Sequence, residues 1–466
     1  MESLVIGAKE TPAGGWTRVQ MNRFFYTTLL ASALAVTALA EPVSYFRQVR
    51  PVLRANCVGC HKPAKKKGGL DLTSVATILK GGEAGAIQPG HGASAEILKQ
   101  ISGTEPEMPK DADPLIAGEI ELIRRWIDEG AKDDTPSDLG EIYRLAEPPV
   151  YRKAPAVSSL AWSPDGATLA VAAWHEVILR SGDGGALLGR LVGDSPRVES
   201  LAFSPDGKRL GVAGGSPSEF GEVQVWDVAE RRLLRSIKTS TECVFGISWS
   251  PDGASIAVGC GDKLVRVFAV ADGREVMRCD NHIDWVFGTA WSRDGSRLVS
   301  VSRDKAIKLI DPATGHLVDD IAQPREPLLC VARHPAEDLV AFGGDNGQVR
   351  LHKIAPRGGR LAEGDNKEES SVREFDRLPG SAQAVAFSPD GTLLAATGAN
   401  GETRIWQTAD GKRVAQIAGD KAALYALAFT ADSKTLATAG ADGRVRLYEA
   451  ANGKPARDFL PVPINP

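Results

Sequence analysis

Residues 56–62 read NCVGCHK, which places two cysteines three positions apart and a histidine directly after the second. This spacing suits three chemistries: covalent attachment of haem, a redox dithiol, or half of a zinc site. A redox dithiol needs a βαβ setting, and a zinc site needs four ligands, for which His91 is the further residue nearby. Haem attachment explains the spacing best, because two thiols add across the vinyl groups of a porphyrin and the adjacent histidine then lies under the iron.

The second axial ligand of such an iron comes from a distant part of the chain. Met108 is the one methionine between residues 22 and 276, and it lies in the stretch EPEMP, where flanking prolines stiffen an extended loop. His91, between two glycines, is the alternative distal ligand. A methionine and a histidine on iron favour electron transfer and raise the reduction potential relative to two histidines. We therefore expect one haem c per chain, with His61 as the proximal iron ligand and Met108 as the distal one.

A small helical domain must position these residues. Residues 44–56 place Phe46, Val49 and Leu53 on one face of a helix, with the cysteine motif at its end. A short helix is predicted over residues 94–101. Fewer than about 100 residues cannot bury a large core alone, so a covalently held macrocycle would be a natural filler.

The strongest helix of this domain is predicted over residues 113–130. Asp113 is expected as its N-cap, Pro114 as its first helical residue and Gly130 as its C-terminal stop. Its apolar stripe consists of Ile116, Ile120, Ile123 and Ile127, widened by Trp126.

Residues 45–133 resemble the planctomycete-type cytochrome c domain. The matching features, in order, are F-x-x-V-x-P-x-L ahead of CVGCH, then KGGLDL, a GG–G stretch before a PG–S turn, the E-M-P loop, and WIDEGA. The resemblance implies thioether bonds to Cys57 and Cys60, and His61 and Met108 as axial ligands. One departure is Lys110 after the methionine loop, which the resemblance places beside the haem face.

A repeat with a period near 42 residues follows. Ser-Pro-Asp-Gly or a variant occurs in seven copies, which start at residues 163, 204, 250, 292, 334, 388 and 430. Each copy has an apolar strand, the turn, a strand of small residues, a tight polar turn and an alternating V-x-V-W strand. Four short strands per period are typical of a β-propeller, and the chain resembles a seven-bladed WD40-type propeller. The predicted fold class is thus multidomain: a small helical cytochrome c domain followed by an all-β propeller.

Several features of the propeller repeats carry secondary predictions. His282 and Asp304 fit the hydrogen-bonded His–Asp support of WD40 blades, and the cysteines at 243, 260, 279 and 330 are expected to pack as small apolar residues. The mixed-charge stretch 357–377 is predicted to be an exposed loop. The outer strand of the last blade is expected either from residues 456–460 or from residues 150–153.

The segment from Met21 to Ala40 has the layout of a secretory signal: a positive start, an apolar run and a small-x-small cleavage site. We therefore expect an exported protein of the periplasm or cell envelope, with membrane contact only if this segment stays uncleaved. The expected domains are residues 1–40 for extension and signal, 41–133 for the cytochrome c domain, 134–150 for a linker and 151–466 for the propeller. A net charge of −4, without a long polybasic run, gives no reason to expect nucleic acid.

The expected function is single-electron transfer by an exported haem protein whose propeller docks or scaffolds it, rather than catalysis. Lys62, Lys65, Lys66 and Lys67, with Lys110, could steer an acidic redox partner to the haem edge. The propeller would bind a protein or a cell-envelope component. The alternatives are a propeller-based oxidoreductase fed by the haem, which needs ionisable residues in the channel, and a redox sensor or structural interaction protein.

Overall fold

The computed structural model describes residues 42–58, 60–62, 65–110, 113–135, 147–355, 370–419 and 422–465. These residues form two compact units that divide after Thr135. The expected signal segment lies outside the described residues. In the part of the chain that is described, no helix has the length and apolar character needed to cross a membrane.

The first unit is mainly helical. A π-helical turn, Tyr45–Val49, leads into α1 (Arg50–Asn56), and three further helices follow: α2 (Val75–Lys80), α3 (Glu96–Ile101) and α4 (Ala117–Asp128). Between α1 and α2 the chain forms a two-stranded antiparallel ribbon, β1 (His61–Lys62) and β2 (Lys65–Lys66). Short 3₁₀ turns at Lys67–Gly69 and Gly92–Ser94 complete the unit.

The helix predicted over residues 44–56 is present, but its first turn is π-helical. Ser44 caps it, since its hydroxyl accepts a hydrogen bond from the Arg47 amide at 2.9 Å. A π-helical turn contains more than four residues, which rotates the following turns relative to an α-helix. The buried face is therefore Tyr45, Val49 and Leu53, and the prediction that Phe46 belongs to it was wrong, because Phe46 is only half-buried.

Helix α4 begins later than the sequence predicts. Asp113 and Pro114 precede it, and Ile116 is the N-cap residue, whose amide donates to the Glu119 carboxylate at 3.2 Å. Ile116 is thus 69% exposed instead of lying in the apolar stripe. The C-terminal prediction was correct: the helix ends at Asp128, and Gly130 follows with φ 102°, a conformation that glycine adopts easily.

Trp126 on α4 is the centre of the core of the first unit. It is 2% exposed, and its ring lies 5.3 Å from that of Tyr45. Its indole Nε1 donates to the carbonyl of Lys132 at 2.9 Å, which ties the end of the unit to the helix. The two helical segments at the ends of the unit therefore pack directly on each other.

The second unit consists of antiparallel sheets. Five described sheets have four strands each, in chain order. The first two are β10 (Val244–Trp249), β11 (Ser255–Cys260), β12 (Val265–Ala269) and β13 (Glu275–Cys279), then β14 (Val286–Trp291), β15 (Leu298–Ser302), β16 (Ile307–Ile310) and β17 (Leu317–Ala322). The other three are β18 (Leu328–Arg333), β19 (Leu339–Gly344), β20 (Val349–Lys353) and β21 (Ser371–Glu374); β22 (Ala382–Phe387), β23 (Leu393–Gly398), β24 (Thr403–Gln407) and β25 (Arg413–Ile417); and β26 (Leu424–Phe429), β27 (Thr435–Gly440), β28 (Val445–Glu449) and β29 (Pro455–Phe459).

The remaining sheet of this unit comes before those five and has seven strands among the described residues: β3 (Leu160–Trp162), β4 (Thr168–Ala172), β5 (Trp174–Ser181), β6 (Leu187–Phe203), β7 (Arg209–Ser216), β8 (Phe220–Asp227) and β9 (Arg232–Ser240). Strand β6 is unusually long. Its first half pairs with β5 and its second half pairs with β7. The predicted pattern of four-stranded antiparallel units, consistent with a WD40 propeller, is thus present.

The Ser-Pro-Asp-Gly turn is held by side chain to backbone hydrogen bonds. At residues 204–207 the Asp206 carboxylate accepts from the Lys208 amide at 3.1 Å, and Gly207 takes φ 70° as predicted. The Ser204 hydroxyl adds two bonds, to Asp206 at 2.6 Å and from the Arg209 amide at 2.9 Å. The serine is therefore as much a part of the turn as the aspartate.

Two sequence expectations about strands are resolved by the pairing. Strand β21 (Ser371–Glu374) lies within the stretch predicted to be a loop, so that prediction was wrong for these residues, while residues 356–369 lie outside the description. The outer strand of the last sheet comes from the C-terminal side, since β29 pairs with β28. Tyr151 also forms a parallel bridge with Ile464, so the start of the second unit pairs with its C-terminal segment close to the same sheet.

The four cysteines of the second unit are free thiols inside it. Cys243, Cys260 and Cys279 are buried, and Cys330 is half-buried. Burial raises the pKa of the Cys243 and Cys260 thiols to about 12, which keeps them protonated at neutral pH. They pack as small apolar residues, as the sequence predicts.

The His–Asp support predicted from sequence is formed. His282 Nδ1 lies 2.8 Å from an Asp304 carboxylate oxygen, and its Nε2 lies 2.8 Å from the Ser300 hydroxyl. The same Asp304 oxygen accepts from the Ile283 amide at 3.0 Å. The histidine is 4% exposed, so the network joins the loop before β14 to the turn after β15 away from water.

We expect His282→Ala and Asp304→Ala each to lower the free energy of unfolding by about 1–3 kcal/mol, because each leaves a buried polar partner without its hydrogen bond. The double variant should lose less than the sum of the two. Denaturant titration of the full chain measures all three. Additive losses would show that the pair does not interact energetically.

Acid sensitivity should depend on His352, which is fully buried beside Phe342, with ring centroids 5.0 Å apart. Burial lowers the pKa of His352 from 6.5 to about 4, with Arg350 adding to the effect. The unfolded chain therefore binds the proton more readily, and stability is lost as the pH falls from 6.5 towards 4, by about 3 kcal/mol in total.

The variant His352→Gln removes this titration, so its stability should fall less steeply than that of the parent over the same pH range. Unfolding midpoints in denaturant, measured at several pH values for both proteins, give the two slopes. Parallel slopes would contradict a buried neutral histidine at this position.

Candidate functional site

The first unit contains a cavity of about 250 Å³ that brings the sequence-predicted site residues together. Cys57, Cys60, His61 and Met108 all line it. His91, the alternative distal ligand, is exposed at the turn before Gly92–Ser94 and is not among the lining residues. The structure thus places four of the five candidate residues around one space.

Helix α1 and the ribbon position the cysteine motif. The Cys57 amide donates to the Leu53 carbonyl at 2.8 Å, which continues the helix by one residue. The amides of Cys60 and His61 then both donate to the Cys57 carbonyl at 3.1 Å, so the loop closes on itself. On the far side, the Leu72 amide donates to the carbonyl of His61 at 2.9 Å. The backbone of His61 is therefore held from both directions.

Met108 reaches the same cavity through a contact with α3. Its amide donates to the carbonyl of Gln100 at 2.9 Å, and Pro109 and Lys110 line the cavity with it. The loop is thus anchored to the last turn of a helix, in addition to being stiffened by prolines. This anchor is invisible in the sequence, because it joins two segments through main-chain atoms alone.

The walls of the cavity are suited to a flat apolar group. The aliphatic lining residues are Leu70, Leu72, Ile87, Ile97 and Ile101. Gly81, Gly82 and Gly85 form another side, where the chain turns so tightly that a Cβ at Gly81 would overlap the carbonyl oxygen of Gly85. Ile97 and Ile101 come from α3, whose part in the site the sequence reasoning missed, although their four-residue spacing on a short helix was a usable signal.

His61 supplies an independent observation. Its ring atom Nδ1 is buried, and no atom of the described residues forms a hydrogen bond with it. A buried polar atom without a partner costs about 1–3 kcal/mol. The cavity, two cysteines, this histidine and the Met108 thioether therefore fit a haem group in their chemistry.

Charge is distributed unevenly around this cavity. Lys67 and Lys110 line its edge and are exposed, and Lys66 is exposed beside them. The side chains of Lys62 and Lys65 lie outside the description. Inside, burial raises the pKa of the Cys57 thiol to about 11, with a smaller contribution from Glu119. The interior thus favours neutral groups, while the edge carries positive charge.

The described residues do not form a compact metal centre. Among the described residues, no three His, Cys, Asp or Glu side chains gather as they would around a metal ion. The zinc alternative would have required His91 to join the cysteine motif. A macrocycle is held differently, because its covalent attachment and its metal ligands involve atoms that lie apart. Such a group requires residues at separate positions around a cavity.

The second unit contains a larger cavity, of about 820 Å³, between the first strands of its sheets; we call it the axial cavity. One level of its wall is formed by Ser158, Glu199, Phe245, Phe287, Leu329, Gln383 and Tyr425, and the next level by Leu160, Leu201, Ile247, Thr289, Val331, Val385 and Leu427. Arg197 and Glu199 are the described lining residues with basic and acidic side chains, and burial raises the pKa of the Glu199 carboxyl while Arg197 lowers it. A propeller oxidoreductase would need a cluster of ionisable groups, and this pair is all that the described lining residues supply in acidic and basic side chains.

Comparison with known families agrees with this division of the chain. Residues 57–112 match the family model described as Planctomycete cytochrome C. Residues 231–268, 273–311, 375–407 and 411–449 match the model described as WD domain, G-beta repeat. No curated protein matches the chain.

The first match covers the cavity-lining motif from Cys57 to Lys110, and the other four fall on sheets of the second unit. A cytochrome c domain implies haem binding, and WD40 repeats are associated with protein interaction. The chain therefore combines a planctomycete-type cytochrome c domain with WD40 repeats.

Proposed function

We propose that this protein is an exported c-type haem protein that transfers single electrons, with one haem bound covalently. The observation that carries the proposal is the meeting of Cys57, Cys60, His61 and Met108 at one cavity. The domain limits are proposed as residues 41–133 for the cytochrome c part and 151–466 for the propeller, joined by residues 134–150.

Each residue of the cavity has a defined task in this proposal. The thiols of Cys57 and Cys60 would hold the haem covalently through two thioether bonds, and His61 and Met108 would supply the iron ligands. When bound, haem c supplies a one-electron couple between ferric and ferrous iron. The backbone bonds on both sides of His61 orient its ring, and the Gln100 carbonyl holds the Met108 loop. The aliphatic wall excludes water, and the thioether ligand raises the reduction potential.

The second unit is proposed to be a closed propeller of seven blades that docks the haem domain to a protein or cell-envelope component. Strand β6 would then serve two blades, since its halves pair with different neighbours. Contact between β26 and β3 supports closure of the ring. So does the Asn465 amide, which donates to the Tyr151 carbonyl at 2.9 Å and brings the two ends of the unit together.

Export is proposed from the signal layout of residues 21–40 together with the similarity to planctomycete cytochrome c. Exported maturation agrees with the haem proposal, because c-type haem is attached outside the cytoplasm. A periplasmic or envelope location would also bring the protein to its redox partner.

Ligand substitution tests the haem proposal directly. In protein matured in a strain that attaches haem, Met108→Ala should abolish the weak far-red band of ferric iron bound to a thioether, and Met108→His should lower the reduction potential. Absorption spectra of both oxidation states and a redox titration measure these effects.

The matched control is His91→Ala, at the exposed position outside the cavity, which should leave spectrum and potential unchanged. Loss of the band in His91→Ala instead of Met108→Ala would assign the distal ligand to His91. Absence of covalent haem in the parent protein, shown by a pyridine haemochrome assay, would overturn the proposal as a whole.

The lysines at the edge of the cavity should steer an acidic electron-transfer partner. We expect Lys67→Glu combined with Lys110→Glu to slow reduction by an acidic partner protein about tenfold or more at low salt, and to weaken the salt dependence of the rate. Stopped-flow reduction at several ionic strengths measures both. Lys353→Glu, a charge reversal on β20 of the second unit, is the control. Equal rates in the parent and the double variant would contradict steering.

A further inference from the structure

The mouth of the axial cavity is rich in exposed aromatic side chains. Trp174 and Tyr425 line the cavity and are 49% and 38% exposed. Trp285, which is 39% exposed, packs on the lining residues Phe245 and Phe287. Trp174 is the first residue of β5, directly after the connection from β4, and the corresponding connections of other sheets carry polar residues such as Asp262 and Asp304. About half of the Trp174 surface is exposed to solvent. Burial of apolar surface in the core therefore does not explain why a tryptophan occupies this position.

Three aromatic rings on neighbouring sheets form one group at this mouth. Phe245 lies 5.2 Å from Phe287 and 5.5 Å from Trp285, measured between ring centroids. The guanidinium of Arg303 already sits 4.2 Å above the centre of the Trp285 ring. The stacking of Arg303 on Trp285 shows that a ring of this aromatic group can bind a cation on its face.

Glu199 is the one carboxylate among the described residues that line the axial cavity. Contacts between the first strands run in the order β26, β3, β6, β10 and β14. These strands carry Tyr425 on one side of Glu199, and Phe245 and Phe287 on the other, while Trp174 belongs to the same sheet as β3. The wall on the opposite side, with Leu329 and Gln383, has no charge.

The carboxylate of Glu199 forms an ion pair with Arg197, but its buried oxygen has no hydrogen-bond donor. Its side chain is 17% exposed, and its Oε1 is buried and accepts no hydrogen bond. The Arg197 guanidinium lies 3.1 Å away, but not in a geometry that forms a hydrogen bond. The Arg197 side chain is 58% exposed, so it can move into solvent. A buried carboxylate oxygen without a donor gains most from a partner that brings both charge and N–H groups.

We propose that this mouth binds an arginine side chain of a partner protein, which hydrogen-bonds to Glu199 and stacks on the neighbouring aromatic rings. The inference rests on the docking role proposed above and names its chemistry. A guanidinium fits because it is planar, permanently charged, and able to stack on a ring while donating to a carboxylate. Arg197 then acts as an internal competitor that leaves when the partner arrives.

The test uses full-length, haem-loaded protein and a probe peptide, acetyl-Ala-Arg-Ala-amide, with its citrulline counterpart as the uncharged isostere. Isothermal titration calorimetry should detect the arginine peptide and a markedly weaker citrulline peptide. Glu199→Gln should weaken binding of the arginine peptide about tenfold or more. Arg197→Gln should strengthen it several-fold, because the competitor is gone. Replacing Trp285 by Leu should weaken binding without touching the carboxylate.

The matched control is Glu337→Gln, which removes an exposed carboxylate elsewhere on the second unit and should leave affinity unchanged. Opposite effects of the two variants at residues 197 and 199 would support the inference. Equal affinity for arginine and citrulline, no binding, or unchanged affinity in Glu199→Gln would each overturn it. The haem spectrum of the same sample reports separately on electron transfer chemistry, so absent binding in haem-loaded protein leaves that part of the proposed function standing.

Discussion

A helical unit of fewer than about 100 residues has too little apolar surface to close its own core, and the first unit depends on how it meets that constraint. Its core joins the two ends of the unit through Tyr45 and Trp126. The space left between α1, α3 and the Met108 loop is the cavity with aliphatic walls. A covalently bound macrocycle would fill that space, so the group that carries the chemistry would also complete the fold.

The second unit meets the same constraint by repetition. Each four-stranded sheet has two faces to bury, and contacts with the sheets before and after it do so. Side chains reinforce these contacts across sheets: the indole of Trp249 donates to the carbonyl of Ala202 at 2.9 Å, and that of Trp291 donates to the carbonyl of Ser248 at 3.3 Å.

Buried carboxylates in the second unit show which polar groups serve the fold and which do not. Glu222 is fully buried and accepts hydrogen bonds from Ser195 at 2.5 Å and from Lys238 at 2.8 Å. Glu176 is likewise bonded to Tyr151 at 2.7 Å and to Arg190. Glu199, at the cavity mouth, has an oxygen without a donor. Buried carboxylates that accept several hydrogen bonds hold their surroundings together, which is the structural role of Glu222 and Glu176.

The sequence by itself determined the features that depend on local chemistry. The Cys57–His61 spacing, the glycine that ends α4 at Gly130, and the aspartate turns of the repeats follow from bond geometry and backbone preference over a few residues. The pairing of His282 with Asp304 was instead implied by the resemblance to WD40 blades. These predictions needed no knowledge of the tertiary structure.

Only the tertiary structure decided what joins distant segments. The start of α4 at Ala117 is not of this kind, because the Glu119 carboxylate that caps the Ile116 amide is only three residues away and outweighs the other local signals at Asp113 and Pro114. Residues Ser371–Glu374 became a strand because the edge of β20 offered hydrogen bonds that a polar composition does not reveal. The meeting of Met108 with His61, and of Glu199 with aromatic rings from neighbouring sheets, depends on packing across long sequence distances, where local preference carries no information.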